Sequence, residues 1–159
     1  MSRLKELGPY KNTILATIIQ NENLMKALVH NVPNFLDLSP VDSPADQIYD
    51  RLWPFKYVPK VVEEEKTFIT LSLTGFKPVK RVFKAGKIFF YVFTHNELMK
   101  TDYGMTRVDF IQSELDTLFN ESNELGIGSL EFAGLDDFIF ETNHLFVGSA
   151  LSYRNMDFN

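Results

Sequence analysis

The chain contains no cysteine, which excludes disulfides and thiolate metal sites. It also lacks any apolar run of about 18 residues, the length of a membrane-spanning helix. The stretch Ile14 to Ile19 is interrupted by Ala and Thr and is too short for a signal-peptide core, so the protein is expected to be cytoplasmic when made. Three histidines, His30, His95 and His144, lie far apart, and no HxH, HExxH or DxDxDG spacing exists to hold a metal. No G-x-S-x-G elbow is present, and no serine is placed near a histidine by any pattern. Gly126-x-Gly128 follows a helical segment instead of joining strand to helix, which is the wrong context for a phosphate-binding loop. Basic residues are nearly absent from the C-terminal part. Residues 113–159 hold Arg154 alone against nine Asp/Glu, a balance of −8, whereas residues 1–112 carry +3.

Aromatic residues, by contrast, are abundant: fifteen Phe and six Tyr favour a sheet-based core and aromatic contacts between subunits. At 159 residues the chain suffices for one compact domain with an extra arm. Three stretches are expected within it: a helical segment at 1–30, a proline-rich extended arm at 31–65, and an α+β core at 66–159. In the first, Ile14, Leu15, Ile18 and Ile19 form a helical stripe that Leu24, Met25, Leu28 and Val29 repeat. Asn21 and Asn23 are placed to cap a second helix between the two stripes. The arm holds five of the seven prolines, which prevent long regular elements. Ser43-Pro44 is placed to cap and open a short helix through Asp50. The strap Trp53-Pro-Phe-Lys-Tyr-Val-Pro59 is too apolar to remain in solvent, so Trp53 and Phe55 pack on their own domain or on a neighbour.

In the core, Ile69, Leu71 and Leu73 alternate with Thr70, Ser72 and Thr74, the pattern of a half-buried strand. Gly75 to Gly86 reads as a basic loop in which Lys77, Lys80, Arg81 and Lys84, with Lys87 beyond, cluster without an acid. Ile88 to Phe93 then has no polar break, so both faces of that strand need cover, and a neighbouring subunit is a candidate for part of it. Thr106 and Asp109 have capping-box spacing ahead of the stripe Val108, Ile111, Leu115, Leu118 and Phe119, which predicts a helix over 106–122. Strands follow near Leu130 to Ala133 and Phe138 to Glu141, separated by Asp136-Asp137, and a last strand runs from His144 to Arg154. Its small residues Gly148, Ala150 and Ser152 leave one face shallow for close approach. The fold expected is α+β, a four- to five-stranded, mostly antiparallel sheet crossed by the 106–122 helix.

Two kinds of site remain open. The first is subunit contact: a basic loop and an acidic end suit head-to-tail association, and charge reversal at Lys80-Arg81 is expected to weaken it. Tyr103 and Arg107 are candidates for a rim contact facing an acidic neighbour such as Asp136-Asp137, although capping already accounts for much of that segment. Ordinary solvated surfaces are the alternative reading of the charge clusters. The second is a metal-dependent nuclease site, since Glu64-Glu65-Lys66 ahead of a strand has the acidic-x-lysine form, with Asp46 and Asp50 as upstream carboxylates.

Four short segments carry a resemblance: Phe93-Thr94-His95; Thr101-Asp102-Tyr103-Gly104 with Arg107 and Asp109; Gly126-Ile127-Gly128; and Gly148 with the ending Leu151-Ser152-Tyr153-Arg154-Asn155-Met156-Asp157-Phe158. Over about residues 66–159 the chain resembles small neck proteins of tailed bacteriophages, in particular tail terminator or tail-completion proteins. The proline-rich arm has no counterpart in that resemblance. It implies a non-enzymatic virion protein, without metal or other cofactor, that assembles as a ring, commonly six-fold. The ring would end the tail tube, dock to a head-connector or stopper protein, and let DNA pass through an acidic lumen without specific binding. Stopper and adaptor proteins of the same neck remain equally open, including one that stays monomeric until it folds onto a portal or capsid ring.

Overall fold

The computed structural model describes residues 7–60, 65–78, 84–120, 129–140 and 145–158. Glu64, Lys80, Arg81, Gly126, Gly128 and His144 lie outside them.

Two helices open the chain, α1 (Leu7–Ile19) and α2 (Glu22–Val29). Asn21 divides them: its side chain accepts a hydrogen bond from the Leu24 N–H at 2.9 Å and so caps α2. Pro9 falls in the first turn of α1, where its missing N–H leaves no bond unmade. After the proline-rich stretch, with short 3₁₀ turns at Phe35–Asp37 and Pro44–Gln47, comes β1 (Leu52–Trp53). The long hairpin β2 (Thr67–Pro78) and β3 (Lys84–His95) is followed by α3 (Arg107–Phe119), β4 (Leu130–Ile139) and β5 (Phe146–Phe158). The predicted capping at Thr106 is present, with its hydroxyl accepting from the Asp109 N–H at 3.1 Å.

The five strands form one sheet in the order β1-β2-β3-β5-β4. Only β1–β2 is parallel; the other three pairs are antiparallel. This is the α+β fold expected, with differences at element ends. Within 75–86 the described residues, 75–78 and 84–86, are strand, because β2 continues through Gly75 at positive φ with a register shift before Lys77. Asp136-Asp137 does not separate two strands either. It lies inside β4, which a bulge between Phe132 and Gly134 keeps paired to β5 throughout.

The central strand β3 explains where the core sits. Ile88, Phe90 and Val92 point to the helix-covered face and are fully buried with Ile14, Leu28, Ile111 and Leu115. On the other face, Phe93 is sealed by a second aromatic cluster with Phe68 and Phe146. The strap supplies the outer layer there. Trp53 stacks on Tyr57 at 4.1 Å, Tyr57 meets Phe68 at 5.4 Å, and Phe68 meets Phe93 at 5.2 Å. The unbroken apolar run of β3 is therefore covered largely by its own chain, and it does not by itself require a companion. What remains half-buried is the Phe89–Tyr91 pair, on the face without helices.

Gly148 serves the sheet itself and not a visiting chain. It sits opposite Phe93 in the β3–β5 ladder. A Cβ there would overlap the Val92 carbonyl oxygen and lie 2.6 Å from the Phe93 Cα. The side chain is absent because the neighbouring strand occupies its space.

Candidate interaction surfaces

The predicted contact residues separate into interior and surface. Arg107 is interior: it is 1% exposed, and its guanidinium donates to four backbone carbonyls. These are Leu98 at 2.8 Å, Ala27 at 2.6 Å, His30 at 3.0 Å and Val32 at 2.8 Å. The group also lies 4.9 Å from the Phe35 ring centroid. Burial lowers its pKa to about 10, partly opposed by Tyr103, so it stays charged at neutral pH. Tyr103 is half-buried beside it, with its hydroxyl accepting from the Leu36 N–H at 2.9 Å. Reading these two as a rim contact was wrong. They tie the end of α2 and the start of the arm to α3, and among the described residues no carboxylate pairs with Arg107.

Lys66 and the histidines also have internal partners. Lys66 bonds the Asp50 carboxylate at 2.8 Å, joining two of the groups proposed for a nuclease site in one ion pair. Glu64, the carboxylate of the acidic-x-lysine form, is outside the described residues. His95 is buried and takes the Glu97 N–H on Nδ1, while His30 Nε2 meets the Ser39 carbonyl at 2.9 Å. Among the described residues, no three His, Cys, Asp or Glu gather where they would hold a metal.

The exposed apolar side chains gather mainly at the two opposite edges of the sheet. At the β1 edge, Tyr49, Phe55 and Val58 are 62%, 46% and 55% exposed. Tyr49 adopts φ 69°, a left-handed conformation unusual for an aromatic residue. Its backbone N–H is held by the Leu52 carbonyl at 2.9 Å, and its ring packs edge-on to Trp53 at 5.7 Å. Trp53 is half-buried in the strap, so of the two strap candidates only Phe55 stands clear of the surface.

At the β4 edge, Phe132 and Leu135 are 51% and 50% exposed on the face that carries α3. The helix crosses β3 and β5 but does not extend over β4. An open groove of about 510 Å³ remains between α3 and β4, with Leu135, Phe132 and Leu151 as its floor. Asp109, Asp116 and Gln112 line its helix side. Gln112 is 7% exposed, and its Nε2 has no hydrogen-bond partner among the described residues. Asp116 is also held from below, accepting from the Tyr153 hydroxyl at 2.5 Å. Burial, that hydrogen bond and the nearby Asp116 charge all push the Tyr153 phenol above its ordinary pKa. Asp136 and Asp137 are exposed on the same strand, and Asp137 accepts from Ser149 at 3.2 Å. Lys77 and Lys84 fall on β2 and β3, in the last pairs of the hairpin ladder, and not on β4.

The groove depends on β4 being an outer strand, which no local sequence pattern states. The unpaired amide of Gln112 was likewise not legible, since glutamine on a helix is ordinarily a solvated residue.

A family model described as YomW matches residues 21–155, from the cap of α2 through most of β5. The chain belongs to the YomW family. That family is phage-derived. The match takes in Arg107 with all four of its acceptors, the strap, and both exposed edges. No curated protein matches the chain.

Proposed function

We propose that this phage-derived protein is a non-enzymatic structural component of the virion that acts by self-association, forming a ring in the neck. There it ends the tail tube and docks it to the head connector. The observation that carries the reading is the open β4 edge: a ten-residue strand with half-exposed Phe132 and Leu135 and acidic flanks. Natural sheets usually shorten or cover such an edge, and a long apolar one is a pairing surface. The resemblance over residues 66–159 supplies the neck location. The acidic C-terminal part suits a lumen through which DNA slides without sticking.

A head-completion stopper or adaptor of the same neck would use the same surface and is the second reading. Multi-angle light scattering on the purified chain, alone and with the tail-tube protein, tests the proposal. A ring-sized mass in either condition is expected. Monomers in both would sink it, as would Mg²⁺- or Mn²⁺-dependent plasmid cleavage lost in Lys66→Ala.

A further inference from the structure

We infer that the β4 edge takes up a cationic, extended segment of the docking partner, which joins the sheet as a further strand beside Phe132 and Leu135. The inference rests on the docking half of the reading above and does not need the ring.

The edge is open along its length. β4 runs for ten residues, and among the described residues only β5 pairs with it. Glu131, Phe132, Leu135, Asp136 and Asp137 are all exposed. The outward N–H and C=O groups of such a strand are a template for one more strand. Its main-chain bonds give affinity and its side chains give selectivity. The opposite end of the sheet offers no equal, since β1 is two residues long and runs into Pro54.

Register fixes what the added strand must carry. Phe132 and Leu135 stand level with Tyr153 and Leu151, on the face that bears α3. Glu131 and Asp136 stand level with Arg154 and Ala150, on the other face. A strand laid along this edge alternates between the same two faces, with side chains level with these. Beside Phe132 and Leu135 it needs apolar side chains, which cover the floor of the groove of about 510 Å³. Beside Glu131 and Asp136 it needs Lys or Arg. Gly134 faces the position between, and the extra residue of the bulge stays unpaired. The sequence that fits is base, apolar, any residue, apolar, base.

Charge selects the same occupant. Asp109 and Asp116 line the groove, and Asp137 lies on the α3 face of β4. Segment 129–140 has no Lys or Arg, and Arg154 is the one base after residue 112. Among the described residues, Asp109, Asp116, Asp136 and Asp137 make no ion pair. Lys100 shares a cleft with Asp109, but it does not line the groove. The β4 of a second copy would set carboxylates against carboxylates. A cationic strand meets opposite charge on both faces.

The test uses the full chain and a fluorescein-labelled peptide, Ser-Lys-Ile-Ser-Ile-Lys-Ser, read by fluorescence anisotropy. A second peptide, Ser-Ile-Ile-Ser-Lys-Lys-Ser, keeps the composition and charge without the alternation. The first should bind at least about fivefold tighter than the second. Asp136→Lys should weaken binding of the first by about fivefold or more. Asp46→Lys, the same charge change in the 3₁₀ turn beside β1, should alter it by less than about twofold. Both aspartates are exposed, so neither variant threatens folding. Equal affinity for the two peptides, or an equal response to the two substitutions, would mean bulk attraction to an acidic protein and overturn the inference. Absence of binding to either peptide overturns it too. Stronger self-association of Asp136→Lys without peptide binding would assign the edge to a second copy. The ring proposal is read from mass alone. A ring-sized mass without peptide binding overturns this inference and leaves the ring, and peptide binding by a chain that stays monomeric with and without the tail-tube protein does the reverse.

Discussion

Replacing Arg107 by methionine keeps most of the side-chain length and removes a buried charge that holds four carbonyls. Four charge-assisted hydrogen bonds disappear, each worth about 1.5–3 kcal/mol. Against them stands the desolvation cost no longer incurred, about 3 kcal/mol from the lowering of the guanidinium to about 10. The carbonyls of His30 and Val32 are partly open and can take water, while those of Ala27 and Leu98 are buried. The net loss is then about 3–5 kcal/mol, most of it the cost of leaving the two buried carbonyls without a donor, about 1–3 kcal/mol each. That is a large share of the roughly 5–15 kcal/mol holding such a domain together. Urea unfolding followed by tryptophan fluorescence measures it, and the melting temperature should fall by about 6–20 °C. Arg107→Lys should recover less than half, because one ammonium cannot span four acceptors around a planar fork. A loss below about 1 kcal/mol with an unchanged m-value would refute the argument that this side chain clamps the arm to α3.

Three further outcomes are expected. Gly148→Ala forces a methyl group into the Val92 carbonyl and the Phe93 backbone, and should cost at least about 2 kcal/mol by thermal or urea unfolding; a neutral result would mean that β3 and β5 can separate freely. Tyr153→Phe should lower stability at neutral pH by about 1.5–3 kcal/mol, the worth of a hydrogen bond to a carboxylate. Because folding raises the phenol pKa, the native state keeps a proton that the unfolded chain loses above about pH 10. The wild-type advantage should therefore be constant at lower pH and shrink by about 1.4 kcal/mol per pH unit above that point. Urea midpoints of both proteins from about pH 8 to about pH 11 give the comparison, and a difference that does not change with pH would contradict it. Lys66→Ala breaks a partly exposed pair with Asp50 and should cost about 1 kcal/mol or less by urea unfolding, whereas a loss of several would assign that pair a larger structural role.

Local chemistry carried most of the element assignment. Asn21 and Thr106 are caps because a side-chain oxygen next to a helix start meets a free N–H, and neither needs distant residues. The apolar stripes of α1 to α3 and the alternation of β2 are equally local. The same logic failed at Asp136-Asp137. Two acids look like a turn, but pairing with Ala150 and Ser149 keeps them extended at an outer strand that water can reach.

What the sequence by itself determined is the helices, the positions of most strands though not β1 or the unity of β4, the apolar character of β3, and the division of charge between the two parts of the chain. These follow from side-chain periodicity and from composition. Tertiary structure alone decided what the exceptional residues do. Arg107 is an interface type by its chemistry and an interior clamp by its surroundings, because three of its four acceptors come from residues 27 to 32, far away in the chain. Phe132 and Leu135 read as ordinary strand residues until the sheet order placed β4 outermost, beyond the reach of α3. A side chain's partners are set by packing across the whole fold, and that packing is what separates a buried clamp from an open groove.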